Sequence, residues 1–443
     1  MSCRSVSDKW KSGIAFSQLT DVGMRRANNQ DSLACLPASS GERFADRGHL
    51  FVVADGMGAH AAGEMASRIA TDHIAMQYFR SIEGNCAEAL RVAVEEANIE
   101  IFRRGQQNPE FYNMGTTASS LVLLSSGALI AHVGDSRIYR LRNGVLEQLT
   151  FDHSLVWEFE ASGQMEPGSV LGQAIPKNVI TRSLGPNDVV NVDIEGPFPI
   201  QVNDCFLLCS DGLSGQVEDE EIATLLDCLP EDLAARVLVD LANLRGGPDN
   251  STVIIVRVDE SFTNASNDAK PSNKRQRNSQ SAVSPLLIGT VVSCFLGAAV
   301  LGGMAAFGVK EALGPMVVAI ILGLISVAVC LVQYFQSSGN TSRKPLPQVP
   351  GGKGPYRRYN AQPTKELFER LGQTVEELRE AANQRNWLMD WRKIDELKKQ
   401  SAEALANKDS KAAIRLQAER IIETMHQLRE LNNRAANETA IDH

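Results

Sequence analysis

Three carboxylates in this chain stand where strands should end. Asp55 closes the run Leu50-Phe51-Val52-Val53-Ala54 and opens Gly56-Met57-Gly58. Asp211 closes Phe206-Leu207-Leu208-Cys209-Ser210 and precedes Gly212, and Asp249 lies in Gly246-Gly247-Pro248-Asp249-Asn250, a turn before the apolar run from Ser251 to Val258. A strand fixes the position of a terminal carboxylate, and an adjacent glycine lets a backbone carbonyl come close as a further oxygen ligand. Hard oxygen donors of this kind suit Mg²⁺ or Mn²⁺, with water completing the octahedra.

Two other readings compete at the first of these sites. Gly56-Met57-Gly58-Ala59-His60-Ala61 fits the dinucleotide fingerprint G-x-G-x-x-A between a strand and a helix. An acid directly before the first glycine repels a pyrophosphate, however, and no ribose-binding acid follows about 20 residues later at the end of a second strand. An ordinary turn whose Asp caps the next helix is the plainer alternative. Recurrence of Asp-Gly at Asp211 argues against it.

The elements that would hold these acids follow from hydrophobic periodicity. Residues Ile14 to Thr20 read as a strand, followed by a polar loop from Asp21 to Asp31 that carries Arg25 and Arg26. A guanidinium beside an acidic metal site is useful when the ligand is a phosphate, since its fork pairs with phosphate oxygens; a solvated turn is the bland reading. Helices are expected from Ala61 to Phe79 and Ala87 to Arg104, and strands from Ala118 to Leu124 and Ala128 to Val133. Gly134-Asp135-Ser136-Arg137 then leads into Ile138 to Leu141, and so short a turn suggests an antiparallel hairpin. The glycine-containing stretch Leu149 to Gly185 reads as a mobile flap, within which His153 is more naturally structural than catalytic.

The ordered set TDVGxxRxxNQD, VVADGMG, GTT, GDSR, LTxDHS, ITRSLG, LLCSDGL and PDNSTV resembles the bacterial metal-dependent type 2C (PPM) family of Ser/Thr protein phosphatases, over about residues 14 to 258. The resemblance implies an α+β fold, a four-layer α-β-β-α sandwich, and hydrolysis of phosphoserine and phosphothreonine by direct attack of a hydroxide that bridges two Mn²⁺ or Mg²⁺ ions. By position, Asp55 would bridge the metals with the Gly56 carbonyl on the first, and Asp211 and Asp249 would hold the second. Asp31 matches an acid that binds metal through water, Asp135 an acid of a third, weaker metal site, and Arg26 the phosphate-binding arginine. Met57 stands where eukaryotic relatives carry a histidine proposed as general acid. A catalytically silent phosphoprotein-binding scaffold on the same fold is the rival, disfavoured because such a scaffold has no need of every ligand.

The chain of 443 residues has a net charge of −9, which gives no reason to expect a nucleic-acid partner. Its eight cysteines form no CxxC pair, and several lie in apolar runs, as reduced thiols of a cytoplasmic domain would. No apolar core follows Arg4, Lys9 and Lys11, so no secretory signal peptide is expected. We divide the sequence into a phosphatase domain (1–259), a flexible basic linker (260–284), a two-helix transmembrane hairpin (285–335, with spans of about 285–307 and 315–335), a Pro/Gly/basic linker (336–363) and a helical C-terminal region (364–443). Each apolar stretch is long enough for a ~30 Å hydrocarbon core, and basic residues on both flanks place the two ends in the cytoplasm. The expectation is an enzyme anchored in the cell membrane, catalytic domain and C-terminal region inside. Its substrates would be phosphorylated proteins, with a Ser/Thr kinase tethered to the same membrane as the target, because confinement raises effective concentration. The C-terminal region reads as two or three helices broken near 383–386 and 407–410, with an apolar face at Ile414, Leu416, Ile421, Ile422, Met425 and Leu428 and with Trp387 and Trp391 one turn apart. It is either a small bundle or a docking module for a protein partner.

Overall fold

The computed structural model describes residues 12–58, 61–166, 179–259 and 353–441, with isolated residues elsewhere. The chain divides into two compact units, one made of residues 1–270 with 350–443 and the other of residues 271–349. The first contains two antiparallel sheets. One runs β1 (Ile14–Asp21), β11 (Ser251–Val258), β10 (Cys205–Cys209), β7 (Arg137–Arg142), β8 (Val145–Gln148), β12 (Arg357–Asn360); the other runs β2 (Asp31–Leu36), β3 (His49–Met57), β5 (Ala118–Leu124), β6 (Gly127–Val133), β9 (Asp193–Phe198), with β4 (Gly115–Thr116) on the end of β3.

Alternation along the central strands explains the layering, because successive side chains leave a strand on opposite faces. Phe51 and Val53 of β3 and Phe206 and Leu208 of β10 meet in one buried cluster between the sheets. Leu50, Val52 and Ala54 instead face α2 (Ala62–Arg80) and α3 (Cys86–Gln107). Cys205, Leu207 and Cys209 face α6 (Asp219–Cys228) and α7 (Glu231–Leu244). Strands buried on both faces read as continuous apolar runs, which is why these were legible. The four-layer α-β-β-α sandwich is present.

The turn Gly134-Asp135-Ser136 is not a hairpin. β6 and β7 belong to different sheets, so the chain changes sheet at Asp135. The hairpins are β5–β6 and β7–β8, the latter closed by Asn143-Gly144 with both residues at positive φ, the backbone a two-residue turn requires.

The C-terminal segment belongs to the first unit. The segment read as a linker supplies β12, which pairs antiparallel with β8, Arg357 opposite Gln148. Three helices follow, α8 (Lys365–Gln384), α9 (Arg392–Ala406) and α10 (Ser410–Ile441). Leu367, Leu371 and Val375 of α8, Ile394 of α9, and Ile414, Ala418 and Ile421 of α10 share one buried cluster with Leu225, Leu226, Leu238 and Leu241. The apolar face of α10, read either as part of a small bundle or as a docking surface, is thus covered by the chain's own sandwich. Trp387 and Trp391 lie in the connection between α8 and α9, and the Arg379 guanidinium sits 4.5 Å over the Trp391 ring.

The membrane expectation is corrected. Spanning a bilayer needs an unbroken apolar helix of about 20 residues, and among the described residues no helix is long and apolar enough. The stretches 285–307 and 315–335 lie, apart from isolated residues, outside the described residues. The transmembrane hairpin, the membrane anchor, the cell-membrane location and the argument for a kinase in the same membrane fall together.

Candidate metal centre

All the expected acids come to one end of the sandwich. In one sheet, Asp21 pairs with Ser251, Cys209 with Val253 and with Arg137, so the end of β1, the start of β11, the end of β10 and the start of β7 are aligned. Asp211, Asp249 and Asp135 flank those ends. In the other sheet Asp31 heads β2 directly opposite Asp55. Asp211 is the first residue of the single-turn helix α5 (Asp211–Ser214).

Close backbone approach makes both Asp-Gly glycines necessary. A Cβ on Gly212 would lie 1.9 Å from the Asn250 carbonyl oxygen, and one on Gly56 would lie 2.1 Å from that of Gly63. The two Asp-Gly turns are therefore pressed against neighbouring backbone, which sets where their acids sit.

Short polar side chains hold each acid in place, and sequence reasoning missed them. Thr117 Oγ1 accepts the Asp55 N–H at 2.9 Å, and the Thr117 N–H and Thr116 hydroxyl donate to the Asp55 carbonyl at 2.8 and 2.9 Å. The Ser210 hydroxyl donates to Asp31 Oδ2 at 2.7 Å and accepts from the Thr252 N–H at 3.0 Å. Asn250 accepts the Gln30 N–H at 2.7 Å and donates to the Val22 and Asn28 carbonyls at 2.8 and 3.0 Å, stitching the Arg26 loop to the Asp249 turn. Their one signal in the sequence is adjacency: each lies within three residues of an Asp or inside one of the motifs.

Beside Asp135, Arg137 forms an ion pair with Asp152 at 2.7 Å, and Gln148 donates to the other Asp152 oxygen at 2.7 Å. His153 is structural. Its Nδ1 accepts the Gly134 N–H at 2.9 Å, so Nε2–H donates to Asp193 at 2.9 Å. Arg26 donates to Asp249 at 2.7 Å and to the Pro248 carbonyl at 3.3 Å, with its side chain 47% exposed. A guanidinium held there is open to an incoming anion.

The electrostatics of the cluster call for positive charge. Burial, opposed by hydroxyl donors at Thr252 and Ser210, pushes Asp31 up to about 7. Burial and then the charges of Asp31 and Asp211 hold Asp55 well above the usual carboxylate range, and the Asp55 and Asp211 carboxyl groups are within hydrogen-bond reach. Burial and Asp249 raise Asp211, and burial and Asp211 push Asp135 up to about 7. Among the described residues no three His, Cys, Asp or Glu form a ready-made metal cage. Asp31 Oδ1 and Asp135 Oδ1 are nevertheless buried without a hydrogen-bond partner. Buried, mutually repelling carboxylates with orphaned oxygens fit a divalent cation, which would satisfy both the charge and the lone pairs.

An antiparallel double-sheet sandwich with an all-oxygen acid cluster and an arginine at its rim defines a class, the metal-assisted phosphohydrolases. The model of the family "Protein phosphatase 2C" matches residues 17–251. Protein phosphatase PhpP of Streptococcus pneumoniae serotype 2 is 35% identical over 252 residues, 56% of this chain and 98% of PhpP. The serine/threonine phosphatase stp of Listeria monocytogenes serovar 1/2a is 36% identical over 247 residues, 54% of this chain and 94% of its own. The solved structure of the S. agalactiae serine/threonine phosphatase, 33% identical, covers 56% of this chain and 100% of that one with a TM-score of 0.50. The chain belongs to the protein phosphatase 2C family. It is a Ser/Thr protein phosphatase, a hydrolase of phosphoric monoesters.

Proposed function

We propose that the chain removes phosphate from phosphoserine and phosphothreonine in proteins at a two-metal centre held by Asp55, the Gly56 carbonyl, Asp211 and Asp249. Asp31 and Asp135 stand as outer acids, Asp135 beside Asp211 for a third, weaker ion. The observation that carries this reading is the convergence of five acids from five separate stretches of sequence at one end of the sandwich, four of them raised by burial and mutual repulsion.

Asp55, the Gly56 carbonyl, Asp211 and Asp249 would hold the ions, which when bound would supply an acidified water at neutral pH and offset charge on the phosphoryl oxygens. The chain's own residues do the rest. Arg26, on the exposed rim, exchanges its hold on Asp249 for two phosphoryl oxygens and orients the ester. Thr116 and Thr117 fix the backbone of Asp55, and Ser210 holds the Asp31 carboxylate, as charge shifts. Met57, paired with Gly115 at the end of β3, offers no proton, so the leaving alkoxide takes its proton from solvent in the site. No cysteine sits in a phosphate-cradling loop, and Cys35, Cys205 and Cys209 are pushed up to about 12 by burial, so none serves as a thiolate nucleophile.

The test is phosphate release from a phosphothreonine peptide by the full chain with Mn²⁺, with EDTA, and by Asp211→Asn. Turnover with Mn²⁺ alone is expected. Robust release in EDTA would sink the metal mechanism, and peptide binding without release in any condition would favour the silent scaffold.

A further inference from the structure

The Arg26 loop is held from two directions, one of them unexpected. Asn250 holds it from within the family-matched region, and Arg429, on α10 and far beyond residue 251 where that match ends, holds it from outside. Arg429 reaches Asp21 Oδ2 at 3.0 Å and Asp240 Oδ1 at 3.0 Å. Asp21 is the last residue of β1 and the first of the loop. Its other oxygen accepts the Gly23 N–H at 2.9 Å and the Asn243 amide at 3.0 Å. Gly23, at φ +81°, lies so close to the Asp249 carbonyl that a Cβ would approach it to 2.3 Å, and the Met24 N–H donates to the Gly247 carbonyl at 2.9 Å. Arg26 follows two residues later, on Asp249.

Each link in this series is a hydrogen bond or a backbone contact without slack. Without Arg429, Asp21 Oδ2 loses its ion-pair partner among the described residues, and the turn is left to the hydrogen bonds of Gly23, Met24, Asn243 and Asn250, a looser hold on its position against Asp249. Because Asp240 is almost fully buried at 1% exposure, Arg429 also has a fixed seat on α7 and cannot simply drift with the loop.

We propose that Arg429 is a positioning residue for the phosphate-binding rim, setting the loop from Asp21 to Arg26 from a C-terminal helix outside the family-matched region. The inference rests on the reading of Arg26 as the phosphate-binding arginine. It makes the C-terminal region a working part of the catalytic unit, and it ties substrate affinity to the docking of α10.

The experiment uses the full chain as wild type, Arg429→Ala, Arg429→Lys, Arg26→Ala and the double variant Arg26→Ala/Arg429→Ala. KM and kcat for a phosphothreonine peptide and the inhibition constant of inorganic phosphate are measured with Mn²⁺. Arg429→Ala raises KM and the phosphate constant together by roughly tenfold, the scale of coupling through packed side chains, while kcat moves less. Arg429→Lys falls between, because an ammonium keeps the charge but loses the planar guanidinium whose Nη2 touches both carboxylates. The double variant is no worse than Arg26→Ala, since both changes remove the same interaction. Asp240→Asn, which spares the Asp21 contact but loosens the Arg429 seat, raises KM less than Arg429→Ala does. Unaltered KM and phosphate constant in Arg429→Ala, effects that multiply in the double variant, or an equal KM rise in Asp240→Asn would each overturn the proposal. If Arg26→Ala itself changes neither constant, the reading of Arg26 fails and this inference with it; a strong Arg26→Ala effect beside a silent Arg429→Ala defeats this inference alone.

Discussion

Ser210→Ala separates the positioning role of a hydroxyl from its mere burial. Ser210 is fully buried between β10 and α5, and its one proton goes to Asp31 Oδ2 at 2.7 Å while its oxygen takes the Thr252 N–H at 3.0 Å. Asp31 Oδ1 already lacks a partner. Removing the hydroxyl costs a hydrogen bond to a charged group, about 1.5–3 kcal/mol, and orphans a buried N–H, a further 1–3 kcal/mol, with relaxation reducing the sum to about 3 kcal/mol. For a unit of this size that is a fall in Tm of about 4 °C. The internal control is Ser120→Ala in β5. Ser120 is equally buried, but its hydroxyl has no hydrogen-bond partner among the described residues, so the same deletion should cost less than about 0.5 kcal/mol or stabilise the fold slightly. Urea unfolding of both variants gives the comparison directly, and Mn²⁺ titration of phosphate release by Ser210→Ala should show weaker metal dependence at Asp31. Equal losses for the two serines would refute the reasoning, because burial rather than bonding would then set the cost.

Gly212→Ala should abolish phosphate release and lower the unfolding midpoint, since its Cβ would lie 1.9 Å from the Asn250 carbonyl and the overpacking costs about 3 kcal/mol or more; wild-type kinetics would show that the Asp211 turn has room to shift. Asn250→Ala should raise KM more than it lowers kcat, because its three hydrogen bonds go to the Arg26 loop, and steady-state kinetics on the phosphopeptide reads the split. His49 is pushed down to about 4 and His132 to about 3 by burial. Their unfolded forms protonate near 6.5 while the folded forms do not, so stability holds above pH 6.5 and falls as pH drops toward 4, by about 1.4 kcal/mol per unit per histidine. Thermal unfolding of wild type and His49→Gln across that window should show a shallower slope for the variant. A fragment of residues 1–270 should aggregate at concentrations where the full chain stays monodisperse by light scattering, because it unpairs the outer edge of β8 and uncovers the apolar cluster that α8 and α10 complete.

What could be read from the sequence, and what could not, follows from what each signal measures. Strands β3, β5, β10 and β11 declare themselves because burial on both faces leaves uninterrupted apolar runs. The short run at β2 is partly exposed and looked like the tail of a loop, so Asp31 was expected in a turn rather than in register opposite Asp55. Gly134-Asp135-Ser136 reads like a hairpin because turn chemistry is local, whereas which sheet the next strand joins depends on partners far along the chain. The amphipathic face of α10 was visible, but periodicity says only that a face is covered. Here the cover is this chain's own α7, α8 and α9. The two apolar stretches between 285 and 335 lie, apart from isolated residues, outside the described residues, and among the described residues no helix is long and apolar enough to cross a membrane.

The site explains why so much of the fold is devoted to hydroxyls and glycines at one end. Bringing Asp31, Asp55, Asp135 and Asp211 together in buried positions raises the pKa of every one of them, so the cluster on its own opposes folding near neutral pH. A sandwich with apolar clusters on three levels can carry that cost where a smaller domain could not. Ser210, Thr116, Thr117 and Asn250 do not remove the repulsion; they fix its geometry, and the neighbouring guanidinium groups, Arg26 on Asp249 and Arg137 on Asp152, offset it only in part. An arrangement that is unfavourable alone and becomes favourable on binding a divalent cation is selective for charge density. On the proposed reading, the same arrangement that destabilises the bare chain would give the site its affinity for a cation, and loss of the Arg429 contact to Asp21 would weaken substrate binding first.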